Sequence, residues 1–254
     1  MMYLLLIVGF VFLIKGADLF VEGAGSLAHS LKIPSIIIGL TVIAMGTSAP
    51  ETAVSISSSL QGANEIAVGN VVGSNLFNLL VVVGVCSILH PIKITKEITK
   101  RDFPFSILAT VALGIALVSG LIISGSPTVN RFDGICFIVI FAIYIFMLIR
   151  SAMASRKNST NEEVVIHNHS VPTSLIFIAI GLAGVIIGGN LVVDNATLIA
   201  EAFGMSQTLI GLTIVAIGTS LPELVTSIVA SKKGENDMAL GNVIGSNIFN
   251  LLLV

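Results

Sequence analysis

Charge is what this sequence has least of. Of its 254 residues, 10% are Asp, Glu, Lys or Arg and 55% are hydrophobic, with a mean hydropathy of +1.04. A soluble domain carries about 25% charged residues. So low a share excludes a soluble globular class and points to an integral membrane protein, with the lipid bilayer as its main partner. The net charge of −2 offers no basic surface to nucleic acid. Tryptophan is absent, so an aromatic belt would fall to thirteen Phe and two Tyr. Cys86 and Cys136 lie inside apolar runs, which excludes a disulfide framework and suits small reduced side chains. The first apolar stretch has no basic leader and no small-residue cleavage site, so it is expected to stay as a helix.

What is present is a series of apolar runs, each near the ~20 residues that cross the hydrocarbon core. They lie at 2–25, 34–60, 66–90, 103–124, 132–150, 173–199, 207–230 and 237–254, about eight helices in an all-α fold. The polar stretch 151–171 reads as a flexible cytoplasmic linker between two halves, 1–150 and 172–254. Basic residues orient the chain. With the N-terminus outside, inner connections hold Lys32, Lys93, Lys96, Lys100, Arg101, Arg150, Arg156, Lys157, Lys232 and Lys233, whereas outer ones hold only Arg131. Lys15 lies within the first helix, three residues from Asp18, and pairs with it by spacing. The imbalance places the N-terminus outside the cell membrane.

The halves repeat one another. Adding 172 carries Gly46-Thr47-Ser48-Ala49-Pro50-Glu51 onto Gly218-Thr219-Ser220-Leu221-Pro222-Glu223. It also carries Gly69-Asn70-Val71-Val72-Gly73-Ser74-Asn75 onto Gly241-Asn242-Val243-Ile244-Gly245-Ser246-Asn247, Phe77-Asn78 onto Phe249-Asn250, and Glu22 onto Asp194. No gap is needed, so the chain is a duplicated unit. Five spans separate each element from its copy, an odd number, so the copies cross in opposite directions. Inverted repeats with helices broken at the midplane are a recurring plan of secondary transporters.

The broken positions carry the chemistry. Ser48 and Glu51 could form a capping box, yet the helix so capped would begin within a membrane span. A carboxylate there costs roughly 2.5–3.5 kcal/mol on insertion scales. Pro50 and Pro222 remove a donor and free an upstream carbonyl, and the helix start favours an ionised carboxylate. Serines follow each glutamate, Ser55 and Ser59, then Ser227 and Ser231, as a hydrated path or as hydroxyls back-bonded to the helix. Ser74 and Asn78, like Ser246 and Asn250, share a face at i, i+4. Thr47, Glu51, Ser74, Asn78, Thr219, Glu223, Ser246 and Asn250 make an all-oxygen set suited to Ca²⁺ rather than to zinc or copper. His167 and His169 read as solvated loop residues, and Glu22 and Asp194 as helix-end charges with a gating role open.

Both halves resemble the alpha-repeats of the sodium/calcium exchanger family, a branch of the calcium/cation antiporters. The resemblance implies a ten-helix exchanger fold built from inverted five-helix repeats, alternating access, and Na⁺ influx driving Ca²⁺ extrusion, with no enzymatic activity and no cofactor. It implies that Glu51 and Glu223 are the central ligands of both ions, that Thr47, Ser48, Thr219 and Ser220 add hydroxyl or carbonyl oxygens, and that Ser74, Asn78, Ser246 and Asn250 complete the cage. The first and sixth helices would slide across the rest. Some relatives carry an aspartate at one of the positions matching Asn78 and Asn250, and both are amides here. The second half lacks counterparts of 83–150, and the apolar ending at Val254 reads as a cut. Ca²⁺/H⁺ antiport and a passive cation channel are the alternatives.

Overall fold

The computed structural model describes residues 1–254 except 93, 127 and 159–168, and it leaves aside the side chains of 64, 124, 156–158, 207, 208, 211 and 212. Among the described residues all regular structure is helical. In a bilayer every backbone polar group must be satisfied internally, which leaves apolar segments little choice. Helix α1 is Met2–Leu31. A broken crossing follows, α2 Ser35–Thr47 and α3 Ala49–Leu60, bent by 47°. Then come α4 Glu65–Leu89 and α5 Ile98–Ile123, α6 Arg131–Asn158 and α7 Val171–Ala202. A second broken crossing, α8 Thr213–Thr219 and α9 Leu221–Lys232, is bent by the same 47°. Helix α10 is Asn236–Leu252. Five helices are long and apolar enough to cross, and the two bent pairs make seven. At 17 residues α10 falls just short of that length, and nearly all of it is buried in the bundle. The chain is a multi-pass membrane protein of about the eight passes expected.

Two boundaries and one pairing differ from the sequence reading. Helix α6 runs on to Asn158, so it takes up the first part of the expected linker 151–171. His167, Glu162 and Glu163 lie outside the described residues. Helix α5 begins at Ile98 rather than 103, because Asp102 is not a loop charge. It is buried, gripped by Arg101 through Nε and Nη2 at 2.7 and 3.0 Å, and it accepts a bond from the Tyr144 hydroxyl at 3.2 Å. This closed polar set ties α5 to α6, with Phe105 stacked on Tyr144. Asp18 accepts from Lys233 at 2.8 Å rather than from Lys15.

The two halves are related by inversion, and α1 and α7 show it directly. A side chain built on Gly9 would meet Val192, on Gly16 Val185, and on Gly23 Ile178, so the helices run antiparallel. Gly181 and Gly188, the repeat mates of Gly9 and Gly16, sit against the backbones of Phe20 and Leu13. Without a hydrophobic drive between helices in lipid, close backbone approach at small residues is what holds such a pair. Pairing α1 with α7 places the first helix of one repeat against the first helix of the other. Helix α10 packs against α2, α4, α5, α6 and α9.

Candidate ion-binding site

Each break falls where the hexapeptides predict. Helix α2 ends at Thr47, Ser48 turns at φ −81°, ψ 9°, and α3 starts with Pro50 in its first turn. Thr219, Ser220 (φ −92°, ψ 5°) and Pro222 repeat the arrangement. Proline cannot continue the donor ladder of the preceding helix, so the chain re-starts at a new angle. Wide π-helical turns at Gly39–Ile43 and Gly211–Val215 precede the two breaks, and a third begins at Asn78. Such turns are frequent at functional sites because they re-aim side chains.

The capping box does not form. The Ser48 hydroxyl makes no bond to its own helix start; it donates across the repeat to Glu223 Oε1 at 2.8 Å. Ser220 donates to Glu51 Oε1 at 3.2 Å in the mirrored bond. Each carboxylate is therefore oriented by the opposite half through one oxygen, and its second oxygen is left over. Ser74 lies beside Glu51, and Thr47 and Ser246 beside Glu223.

All ten sequence-predicted residues are buried: Thr47, Ser48, Glu51, Ser74 and Asn78 from one half, and Thr219, Ser220, Glu223, Ser246 and Asn250 from the other. Glu51 Oε2, Glu223 Oε2, Ser74 Oγ, Asn78 Oδ1 and Asn250 Oδ1 have no hydrogen-bond partner among the described residues. Buried polar atoms are almost always satisfied, and each exception requires a reason. Five acceptor-capable oxygens, two of them on carboxylates, make a donor set of the hard type that Ca²⁺ and Na⁺ accept. A soft metal would require thiolate or imidazole groups. As transported substrate, a hard cation would satisfy the oxygens that the protein leaves unbonded.

The serine stripes belong to the site's flanks. Ser55 and Ser227 are buried and accept from the amides of Asn70 and Asn242 at 3.0 and 2.9 Å. Those amides also reach the carbonyls of Glu51 and Glu223, at 3.1 and 3.4 Å. Back-bonding to the helix is not their role. Asn70 and Asn242 are residues that sequence reasoning passed over, although their place in both repeats was the available signal.

The halves are not equivalent in packing. Thr47 donates to Asn242 Oδ1 at 3.0 Å, whereas among the described residues Thr219 bonds only the carbonyl of Ala216. A Cβ on Gly241 would lie 2.6 Å from the Ile36 carbonyl, and one on Gly245 would lie 2.6 Å from the Leu40 carbonyl. Their mates Gly69 and Gly73 have no described atom within 4 Å. Helix α2 is thus closed on α10, whereas among the described residues α8 meets α4 at Ala216–Thr219 and leaves Gly69 and Gly73 uncovered. Ser59 is correspondingly exposed and Ser231 buried. The closed side carries an ion cluster. Lys233 Nζ reaches Asp18 at 2.8 Å and Glu22 at 3.2 Å, and His169 Nε2 lies 3.0 Å from Glu22. Glu22 therefore joins α1 to the turn before α10 and to the chain entering α7.

The sequence matches the pattern of the sodium/calcium exchanger protein family over residues 1–150 and 173–254. A putative antiporter, CaxA, of Alkalimonas amylolytica is 41% identical over 256 residues, covering 98% of this chain and 77% of the relative. The sodium/calcium exchanger MaX1 of Methanosarcina acetivorans is 34% identical over 285 residues, covering 99% and 81%. A solved structure of the sodium-calcium exchanger NCX_Mj superposes with a TM-score of 0.84 at 35% identity, covering 98% of this chain and 79% of that one. These matches span both repeats and both broken crossings, and the chain belongs to the sodium/calcium exchanger family of membrane transporters.

Proposed function

We propose that the protein is a secondary antiporter that exchanges Na⁺ for Ca²⁺ across the cell membrane by alternating access. The observation that carries the proposal is the group of five unbonded buried oxygens around the paired carboxylates Glu51 and Glu223. Relatives named as sodium/calcium exchangers support it. Thr47, Ser48, Glu51, Ser74, Asn78, Thr219, Ser220, Glu223, Ser246 and Asn250 form one site that holds either Ca²⁺ or Na⁺. Two carboxylates neutralise one Ca²⁺ or two Na⁺. A third Na⁺ would leave one surplus positive charge, because Asn78 and Asn250 supply amides where an aspartate could offset it. Each net charge carried is worth about 2.3 kcal/mol per 100 mV of membrane potential. The test is Ca²⁺ uptake by reconstituted protein driven by a Na⁺ gradient, with the vesicles clamped at two potentials. Na⁺-driven uptake is expected, with voltage dependence reading three-for-one exchange and its absence two-for-one. Uptake driven only by a pH gradient would make the protein a Ca²⁺/H⁺ antiporter, and uptake without any counter-ion would make it a channel.

We further infer that the N-terminus is outside and that residues 151–171 are cytoplasmic, from the imbalance of basic residues. The uncovered side of the molecule, at the turn 61–63, then faces outward, and the side closed by Lys233 faces the cytoplasm. A membrane-impermeant thiol reagent added to intact cells is expected to label a cysteine at position 63 and not one at position 160. The opposite pattern reverses the orientation.

A further inference from the structure

Asn78 and Asn250 offer the site their oxygens rather than their nitrogens, and something must set that choice. A carboxamide is nearly symmetric in shape, so only its hydrogen bonds decide which end faces a neighbour. The deciding bonds come from two other amides, Asn75 and Asn247, to which neither the repeat motif nor the donor set assigned a role.

Asn75 Nδ2 donates to the backbone carbonyl of Asn247 at 3.2 Å, and Asn247 Nδ2 donates to the backbone carbonyl of Asn75 at 3.3 Å. A peptide carbonyl only accepts. These two bonds therefore fix the nitrogen end of each side chain and turn its oxygen the other way. Those oxygens accept in turn: Asn78 Nδ2 donates to Asn247 Oδ1 at 3.1 Å, and Asn250 Nδ2 donates to Asn75 Oδ1 at 3.3 Å. With their nitrogens engaged, Asn78 and Asn250 are left with Oδ1 buried and unbonded. The orientation is thus determined step by step from two backbone carbonyls. Each step crosses from one repeat to the other, since Asn75 and Asn247 are themselves repeat mates, as are Asn78 and Asn250.

We propose that Asn75 and Asn247 are positioning residues that set the affinity of the site for a divalent cation, by holding the Asn78 and Asn250 amides oxygen-inward across the interface of α4 and α10. This rests on the exchanger reading above only in that Asn78 and Asn250 face the transported ion. Without the Asn247 oxygen, the Asn78 amide loses the partner of its NH₂ group. It can then turn a positive N–H dipole toward the cation, which harms a divalent ion more than a monovalent one. An apolar side chain at 247 would still fill space between the helices, but it would leave the Asn78 amide free to rotate.

The experiment is a pair of double-mutant cycles on purified protein, reading the Kd for Ca²⁺ and for Na⁺ by calorimetry. Asn247→Ala is expected to raise the Ca²⁺ Kd by roughly 10- to 100-fold, the range seen when an orienting partner of a ligand is removed, and to raise the Na⁺ Kd less. In an Asn78→Ala background, Asn247→Ala is expected to add almost nothing, because it acts through the side chain already removed. Asn75→Ala with Asn250→Ala is the same cycle in the other half, and it serves if one variant fails to fold. Additive losses, or equal losses for both ions, would show that the amides only brace the helices and would overturn the proposal. Asn78→Ala and Asn250→Ala that both leave the Ca²⁺ Kd unchanged would instead reject these residues as part of an ion site, a separate failure.

Discussion

Glutamine at position 51 or at position 223 is expected to abolish Ca²⁺ transport while the protein stays folded. The amide keeps an oxygen to accept from Ser220 or Ser48, which donate to Glu51 and Glu223 at 3.2 and 2.8 Å, so the contact across the repeat survives. What is lost is a full negative charge in a buried place. Unit charges 4 Å apart interact by about 4 kcal/mol at an effective dielectric constant of 20, so a carboxylate on a divalent ion contributes about 8 kcal/mol before desolvation is deducted. Even a third of that weakens binding by about 100-fold, since each 1.4 kcal/mol is tenfold. Uptake of Ca²⁺ into proteoliposomes is expected to fall at least that far for either variant. Thermal unfolding provides the control. Wild-type protein should gain about 2.7 kcal/mol of stability at a hundred times its Kd for Ca²⁺, and the variants should gain no more than about 0.4 kcal/mol at that concentration. Without ions the variants should be at least as stable as wild type, because a buried carboxyl group that is costly to ionise has been replaced by a neutral amide. A glutamine variant that keeps more than a tenth of wild-type uptake would remove that carboxylate from the ion site.

Much of this molecule is legible in its sequence, because the expensive features are repeated ones. A proline and a carboxylate at membrane depth, found twice at a spacing of 172, specify a broken crossing, and the breaks fall at Ser48 and Ser220. The ten oxygen-bearing residues come together for the same reason. Other features are local exceptions. Asp102 fell outside the span expected at 103–124, because nothing in the chain announces its adjacent Arg101 grip or the distant Tyr144 hydroxyl. Asn75 and Asn247 stand in the repeated motif with no role legible there, since their role depends on meeting each other across the repeats. The packing difference between halves could not be read at all. Gly69 and Gly241 sit in nearly identical sequences, and identical sequences cannot state which of them will be packed.

That last difference leads to the other large effect expected, from Gly73→Val. A Cβ at position 73 meets nothing described within 4 Å, so valine there leaves the fold and ion binding of the present form intact. Its mate Gly245 shows what the alternate form requires. There the Leu40 carbonyl comes within 2.6 Å of the Cβ position, a backbone atom that cannot yield as a side-chain tip would. If the repeats exchange conformations during transport, α8 must close on α4 as α2 is closed on α10 now, and the backbone near residue 212 must approach Gly73 as closely. Valine obstructs that approach. Overpacking of this kind costs typically 1–3 kcal/mol, so the closed form becomes some 5- to 150-fold rarer and turnover is expected to fall in that range, while the Kd for Ca²⁺ holds. Gly245→Val should act in the opposite sense, forcing apart the contact that is now made and relaxing the side that Lys233 ties to Asp18 and Glu22. The positions matching that cluster are Gln61, Asn190 and Asp194, so no lysine can repeat it on the uncovered side. The two glycine variants should therefore differ in accessibility as well as rate. A thiol reagent added from the side of residues 61–63 should reach a cysteine at Ser59 fully in Gly73→Val and more slowly in Gly245→Val. Wild-type exchange by Gly73→Val would mean that α8 never closes on α4, and the symmetry of the two halves would then not describe their motion.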